Sequence, residues 1–136
     1  MSDFLFTYGT LLPQHAPDEV KSVVTQLTPC GEGSIPGVLF DLGEYPGAVF
    51  DSSSSMRVFG KVFRLPDRVS ILNELDHYEG FDPASPGTSL FVRKLYPVLL
   101  TTGESIECWV YEYNGNPAEE RILVDGRYAK GDAAAD

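Results

Sequence analysis

Apolar residues come along this chain in short runs separated by turn formers, and two of the intervals carry helical periodicity. Asp3 to Tyr8, with Phe4-Leu5-Phe6 at its centre, reads as a first strand that empties into Gly9. From Pro17 to Leu27, Val20, Val23, Val24 and Leu27 recur at i, i+3, i+4 and i+7, the buried stripe of a helix. Pro17 suits its first turn, and Asp18 and Glu19 suit its positive N-terminus. The cluster Thr28-Pro29-Cys30-Gly31-Glu32-Gly33 is expected to end it in a turn. Val38-Leu39-Phe40, Ala48-Val49-Phe50, Val58-Phe59 and Val62-Phe63 then predict short strands, with Asp51 to Ser55 a hairpin loop. A second helix is expected from Pro66-Asp67, carrying Val69, Ile71, Leu72 and Leu75 inward and stopping at Gly80. Leu90 to Thr101 and Ser105 to Tyr113 make the clearest hairpin, joined across Thr102-Gly103-Glu104. Pro117 to Glu120 reads as a short helical turn.

The sum is an α+β fold: a small, curled, mixed β-barrel of about six strands with two main helices. With 136 residues and 43% hydrophobic content, the chain forms one domain, expected over residues 1–129, with 130–136 a flexible tail. Ten Lys+Arg against 20 Asp+Glu give a formal charge of −10 and no basic patch, which excludes nucleic-acid and anionic-membrane partners. A site for an anionic small molecule must then be shielded from that field by backbone dipoles or an arginine. Cys30 and Cys108 lie in unrelated contexts without metal-ligand spacing and read as free thiols. Met1 to Phe6 has no basic, then apolar, leader pattern, and runs such as Val98-Leu99-Leu100 are too short for a bilayer, so a cytoplasmic location is expected.

Candidate chemistry gathers at two places. In Tyr8-Gly9-Thr10-Leu11 a strand runs into glycine, and N–H groups exposed there suit a carboxylate or oxyanion, although an ordinary turn explains the tetrapeptide taken alone. In Leu75-Asp76-His77-Tyr78-Glu79-Gly80, Glu79 stands at a helix C-terminus, where the dipole disfavours a carboxylate; it is a functional group or a solvated surface glutamate. Asp76, His77 and Glu79, with His15 as a fourth candidate, are spaced one and three apart at a helix end and lack the clean face of an i, i+4 pair, and two histidines leave few nitrogen ligands, so no metal is expected. Neither cysteine sits in a nucleophile elbow and no Gly-x-Ser-x-Gly occurs. Trp109, Tyr111 and Tyr113 fall on one strand face by period 2 and read as core.

Taken in order, Tyr8-Gly9-Thr10-Leu11, Tyr45-Pro46-Gly47, Val58-Phe59-Gly60-Lys61-Val62-Phe63, Leu75 to Gly80, Val92-Arg93 and Trp109-Val110-Tyr111 resemble the γ-glutamylcyclotransferase-like (AIG2-like) family, from Phe4 to about Tyr113. The resemblance implies a cofactor-free enzyme that cyclises a γ-glutamyl group to 5-oxoproline and releases an amine or amino acid. It implies Glu79 as the catalytic base and acid, and Tyr8, Gly9, Thr10 and Leu11 as the loop that binds the γ-glutamyl moiety. Relatives often carry a tyrosine two positions before the arginine; here Phe91 stands there. Arg93 is then a pocket residue or a surface arginine paired with an acid, and Tyr45-Pro46-Gly47 lines the pocket mouth or merely enters a strand. The alternative on the same fold is a non-catalytic γ-glutamyl-binding or protein-interaction module. The leaving group and the oligomeric state are not encoded legibly.

Overall fold

In strands whose residues are apolar on both faces, each face needs its own cover, and the computed structural model supplies two. It describes residues 2–9, 18–43, 45–67, 70–117 and 121–128. The elements run β1 (Phe4–Thr7), α1 (Asp18–Val24), β2 (Thr28–Asp41), β3 (Pro46–Phe50), β4 (Arg57–Arg64), α2 (Ile71–Glu79), β5 (Phe91–Leu100) and β6 (Ser105–Tyr113). The sheet order is β3-β2-β4-β1-β6-β5, and β5 also pairs with β2 at Gly33↔Leu100 and Ser34↔Leu99. Five strands therefore close into a barrel, with β3 added alongside β2. Neighbours are antiparallel except β1 and β6, which run parallel with Leu5 opposite Trp109. The expected curled mixed barrel with about six strands and two main helices is what forms, five of the strands closing the barrel and the sixth lying beside β2.

Alternation along the strands sorts the core into two clusters. Phe6, Tyr8, Ile35, Leu39, Val58, Val62, Val98, Cys108 and Val110 fill the barrel interior with Ala48 and Phe50. Leu5, Phe63, Phe91 and Tyr111 on the outer face pack with Val23, Val24 and Leu27 and with Ile71 and Leu75 of α2. Trp109 and Tyr113 join this outer cluster, so the period-2 reading of that strand holds.

Four boundaries differ from expectation. Thr28 to Gly33, read as a turn, is the first part of β2; residues 28–32 are exposed, and the register shifts between Pro29 and Gly31. Hydrogen bonding to β4 holds this stretch extended where local propensity does not. The runs Val58-Phe59 and Val62-Phe63 form one strand through Gly60-Lys61. Helix α2 begins only at Ile71 after an N-cap at Ser70, beyond Pro66 and Asp67, and α1 ends at Val24, with Leu27 buried past its end. The Val20 side chain, Val69, residues 118–120 of the expected turn and the tail from 130 lie outside the described residues. The 121–128 segment is held on the barrel: Leu123 N–H donates to the Leu39 carbonyl and Phe59 N–H to that of Gly126, both at 2.8 Å. No helix among the described residues is long and apolar enough to cross a membrane.

Candidate functional site

The last turn of α2 is fixed before any side chain acts. Gly80 closes the helix at φ 71°, a left-handed conformation that favours glycine, and Phe81 N–H donates to the Asp76 carbonyl at 2.9 Å. Inside this turn Asp76 is 3% exposed and saturated with partners. Arg93 of β5 grips both carboxylate oxygens, Nε to Oδ1 at 2.8 Å and Nη2 to Oδ2 at 3.2 Å, and the Tyr111 hydroxyl donates to Oδ1 at 2.6 Å. The Arg93 guanidinium also lies 4.3 Å from the Trp109 ring centroid. Arg93 thus spends its fork clamping α2 to β5 and β6, and of the sequence alternatives it meets the one in which it pairs with an acid, though in a largely buried place. His77 is exposed.

Glu79 sits three residues beyond Asp76, which puts it on the same side of the helix. Some of its surface meets solvent, yet burial pushes its carboxyl up to about 8 from an ordinary 4.5. Among the described residues nothing hydrogen-bonds or ion-pairs with it. Its surroundings are legible in what its charge does to others. After burial itself, the negative charge of Glu79 is the next cause that pushes the Tyr8 phenol up. Burial raises the Tyr111 phenol first, followed by Asp76 and then by Glu79.

Tyr8 is buried and doubly held: its hydroxyl donates to the Tyr111 carbonyl at 2.6 Å and accepts from Ala48 N–H at 3.2 Å. Gly9 follows with its backbone against Pro46, close enough that a Cβ would lie 2.5 Å from Pro46 Cγ. Gly47 lies against Tyr113, and the Tyr45 ring is 6.0 Å from that of Phe91. Two motifs almost 40 residues apart in sequence thus meet, and the charge of Glu79 reaches Tyr8 beside them. Thr10 and Leu11 lie outside the described residues, as does His15.

Sequence reasoning missed two members of this corner. Tyr111 was read only as core, yet it holds Asp76 through its hydroxyl and Tyr8 through its carbonyl. Thr7 passed unnoticed as the last residue of an aromatic strand; the signal available was a hydroxyl following Phe4-Leu5-Phe6 where an apolar residue would serve. Chemically, a carboxyl that burial pushes up to about 8, with no partner among the described residues, suits proton exchange with an amine, whose own pKa is about 8.

A family model described as "Gamma-glutamyl cyclotransferase, AIG2-like" matches residues 5–130. No curated protein matches the chain in sequence. Among solved structures the fold is similar to that of an AIG2-like protein from Mus musculus, with TM-score 0.72 and 20% identity over 93% of this chain and 88% of that one. It is also similar to YkqA from Bacillus subtilis, TM-score 0.70 and 18% identity, where 99% of this chain matches 42% of the other. A gamma-glutamyl cyclotransferase is similar at TM-score 0.60 and 19% identity over 81% of this chain and 65% of that one.

Proposed function

The chain belongs to the AIG2-like gamma-glutamyl cyclotransferase family, and from that premise we propose that it cyclises γ-glutamyl compounds to 5-oxoproline with Glu79 moving the proton. The observation that carries the reading is the Glu79 carboxyl, without a partner among the described residues and pushed up to about 8 by burial. An ordinary glutamate near 4.5 falls roughly 3.5 units short of an α-ammonium near 8, about 5 kcal/mol of unfavourable proton transfer. Raising the carboxyl to about 8 removes most of that gap.

The step is an intramolecular aminolysis. Glu79 takes a proton from the α-ammonium, and the freed lone pair attacks the γ-carbonyl carbon. The tetrahedral centre then collapses and the bond to the leaving nitrogen breaks; Glu79 passes its proton to that nitrogen and then relays the second proton that the ring nitrogen gives up, so the ring nitrogen keeps one hydrogen and the partner leaves as an ammonium. Atoms balance without a cofactor: one γ-glutamyl amide gives one 5-oxoproline and one amine or amino acid. Tyr8, Gly9, Thr10 and Leu11 bind the γ-glutamyl group in this reading, the backbone N–H groups around Gly9, Thr10 and Leu11 holding the α-carboxylate and bending the chain toward ring closure. Tyr45, Pro46 and Gly47 form the wall beside Gly9. Arg93 contributes by keeping α2, and with it Glu79, in place through Asp76.

The test is turnover of a mixed set of γ-glutamyl amines and dipeptides, with 5-oxoproline and the released partner both quantified. Wild-type protein releases both in equal amounts, and Glu79→Gln releases neither while still binding. Equal turnover by the variant contradicts the assignment. Binding by the wild type without any conversion makes the protein a γ-glutamyl-binding module instead.

A further inference from the structure

Thr7 Oγ1 is the enclosed side-chain polar atom that finds no hydrogen-bond partner among the described residues, in a residue only 3% exposed. We infer, on the basis of the cyclisation reading above, that Thr7 contacts the substrate: its hydroxyl accepts an N–H of the γ-glutamyl α-amine and holds that amine beside Glu79.

Strand alternation fixes which way Thr7 faces. Phe6 and Tyr8 belong to the barrel interior and Leu5 to the outer cluster, so Thr7 projects to the outer side, under the helices. Register then fixes its neighbours. Thr7 pairs with Lys61, and since Leu5 stands opposite Trp109 in the parallel pair, Thr7 falls beside Tyr111, which in turn faces Arg93. Lys61, Thr7, Tyr111 and Arg93 form one row across four strands. Helix α2 lies over that row, because its Asp76 holds both Tyr111 and Arg93. Glu79, one turn on, acts electrostatically on Tyr111 and Tyr8, the residues that flank Thr7 in the row and in the chain. One hydroxyl and one carboxyl without partners among the described residues therefore share this corner.

The carboxylate and phenol groups of the corner are already engaged, and Lys61 offers donors but no acceptor. Tyr8 donates to the Tyr111 carbonyl and accepts from Ala48, Tyr111 donates to Asp76, and Asp76 receives Arg93. An ammonium brings three N–H donors, and Glu79 takes one. Thr7 Oγ1 is the uncommitted side-chain acceptor next to it among the described residues. An amine fixed at two points keeps its lone pair aimed at the γ-carbonyl, whereas an amine fixed only at Glu79 can rotate. A hydroxyl buried without a partner weakens a fold, which a substrate-bound state would relieve.

The experiment pairs a protein change with a ligand change. In the inert Glu79→Gln background, affinities are measured for L-glutamic acid γ-methylamide and for glutaric acid monomethylamide, which lacks the α-amine. Thr7→Val is expected to weaken the first about tenfold and leave the second unchanged within about twofold. Thr7→Ser, which keeps the hydroxyl, restores the first to within about threefold, and Thr7→Val raises Tm or leaves it equal. In the active protein Thr7→Val lowers kcat/KM by about tenfold or more. Equal losses for both ligands, or no loss for either, overturn the assignment; if Thr7→Val does not fold, Thr7→Ser against Thr7→Ala carries the same comparison. A wild type that converts γ-glutamyl amides while Thr7→Val behaves identically sinks Thr7 alone. A wild type that neither binds nor converts any γ-glutamyl compound sinks the cyclisation reading, and Thr7 with it.

Discussion

Asp76 and Glu79 are one helical turn apart on the same helix, and the fold treats them in opposite ways. Asp76 receives two bonds from Arg93 and one from Tyr111, and its carboxylate is spent on holding α2 against the barrel. Glu79 receives none among the described residues, and burial without compensation drives its pKa to about 8. Chemical type does not separate the two acids; the partners do. A carboxylate surrounded by fixed donors is structural, and one left partly buried without them is available to exchange a proton. The first also serves the second, because the clamp at Asp76 fixes where Glu79 stands.

The sharpest way to break this contrast is to neutralise each acid in turn. Glu79→Gln should lower turnover by about a thousandfold with little change in fold, since general acid–base groups contribute about 10²- to 10⁴-fold; initial rates of 5-oxoproline release measure it. Asp76→Ala should instead unfold the protein more readily by about 3 kcal/mol, because it strands the largely buried Arg93 without a counter-charge. Urea denaturation reads this, and a near-neutral result would mean that the clamp is not holding α2. If both substitutions struck stability alone, the division of labour would be wrong.

A smaller effect links protonation to stability. The Glu79 carboxyl binds its proton more tightly in the folded protein, about 8 against 4.5. Folding is thus favoured below pH 4.5, and that advantage is lost as pH rises toward 8, where the bare carboxylate must ionise in place. Relative to wild type, Glu79→Gln should therefore show no difference in this contribution at pH 4 and a gain of about 2 kcal/mol at pH 9, less than the full gap between 4.5 and about 8 would give because the carboxyl is partly exposed to solvent. Thermal melts of both proteins across that range check the sign. Smaller still, Gly80→Ala should cost about 1 kcal/mol, since alanine is strained at φ 71° and its Cβ would lie 3.3 Å from that of Leu90.

What the sequence shows and hides follows the same contrast. Glu79 was visible because a carboxylate before a C-terminal glycine is misplaced on a helix dipole, and Tyr8-Gly9 because a strand emptied into glycine. The β5–β6 hairpin was visible because both strands are long and joined by a short turn. The partners of Asp76 were hidden: Arg93 and Tyr111 lie 17 and 35 residues away and meet it only once the barrel closes. The first part of β2 was hidden because residues 28–32 are exposed, with Pro29, Gly31 and a register shift, so no alternation marks them as strand. Local pattern reports which face is apolar; which charges meet depends on topology.

The most direct test of the contrast is to titrate the Glu79 carboxyl itself, by carbon-detected NMR of the protein labelled at glutamate side chains, with Glu79→Gln identifying the resonance. A midpoint near pH 8 is the predicted result. A midpoint near 4.5, the ordinary value, would mean that Glu79 is solvated or paired, and would contradict its role as the proton carrier.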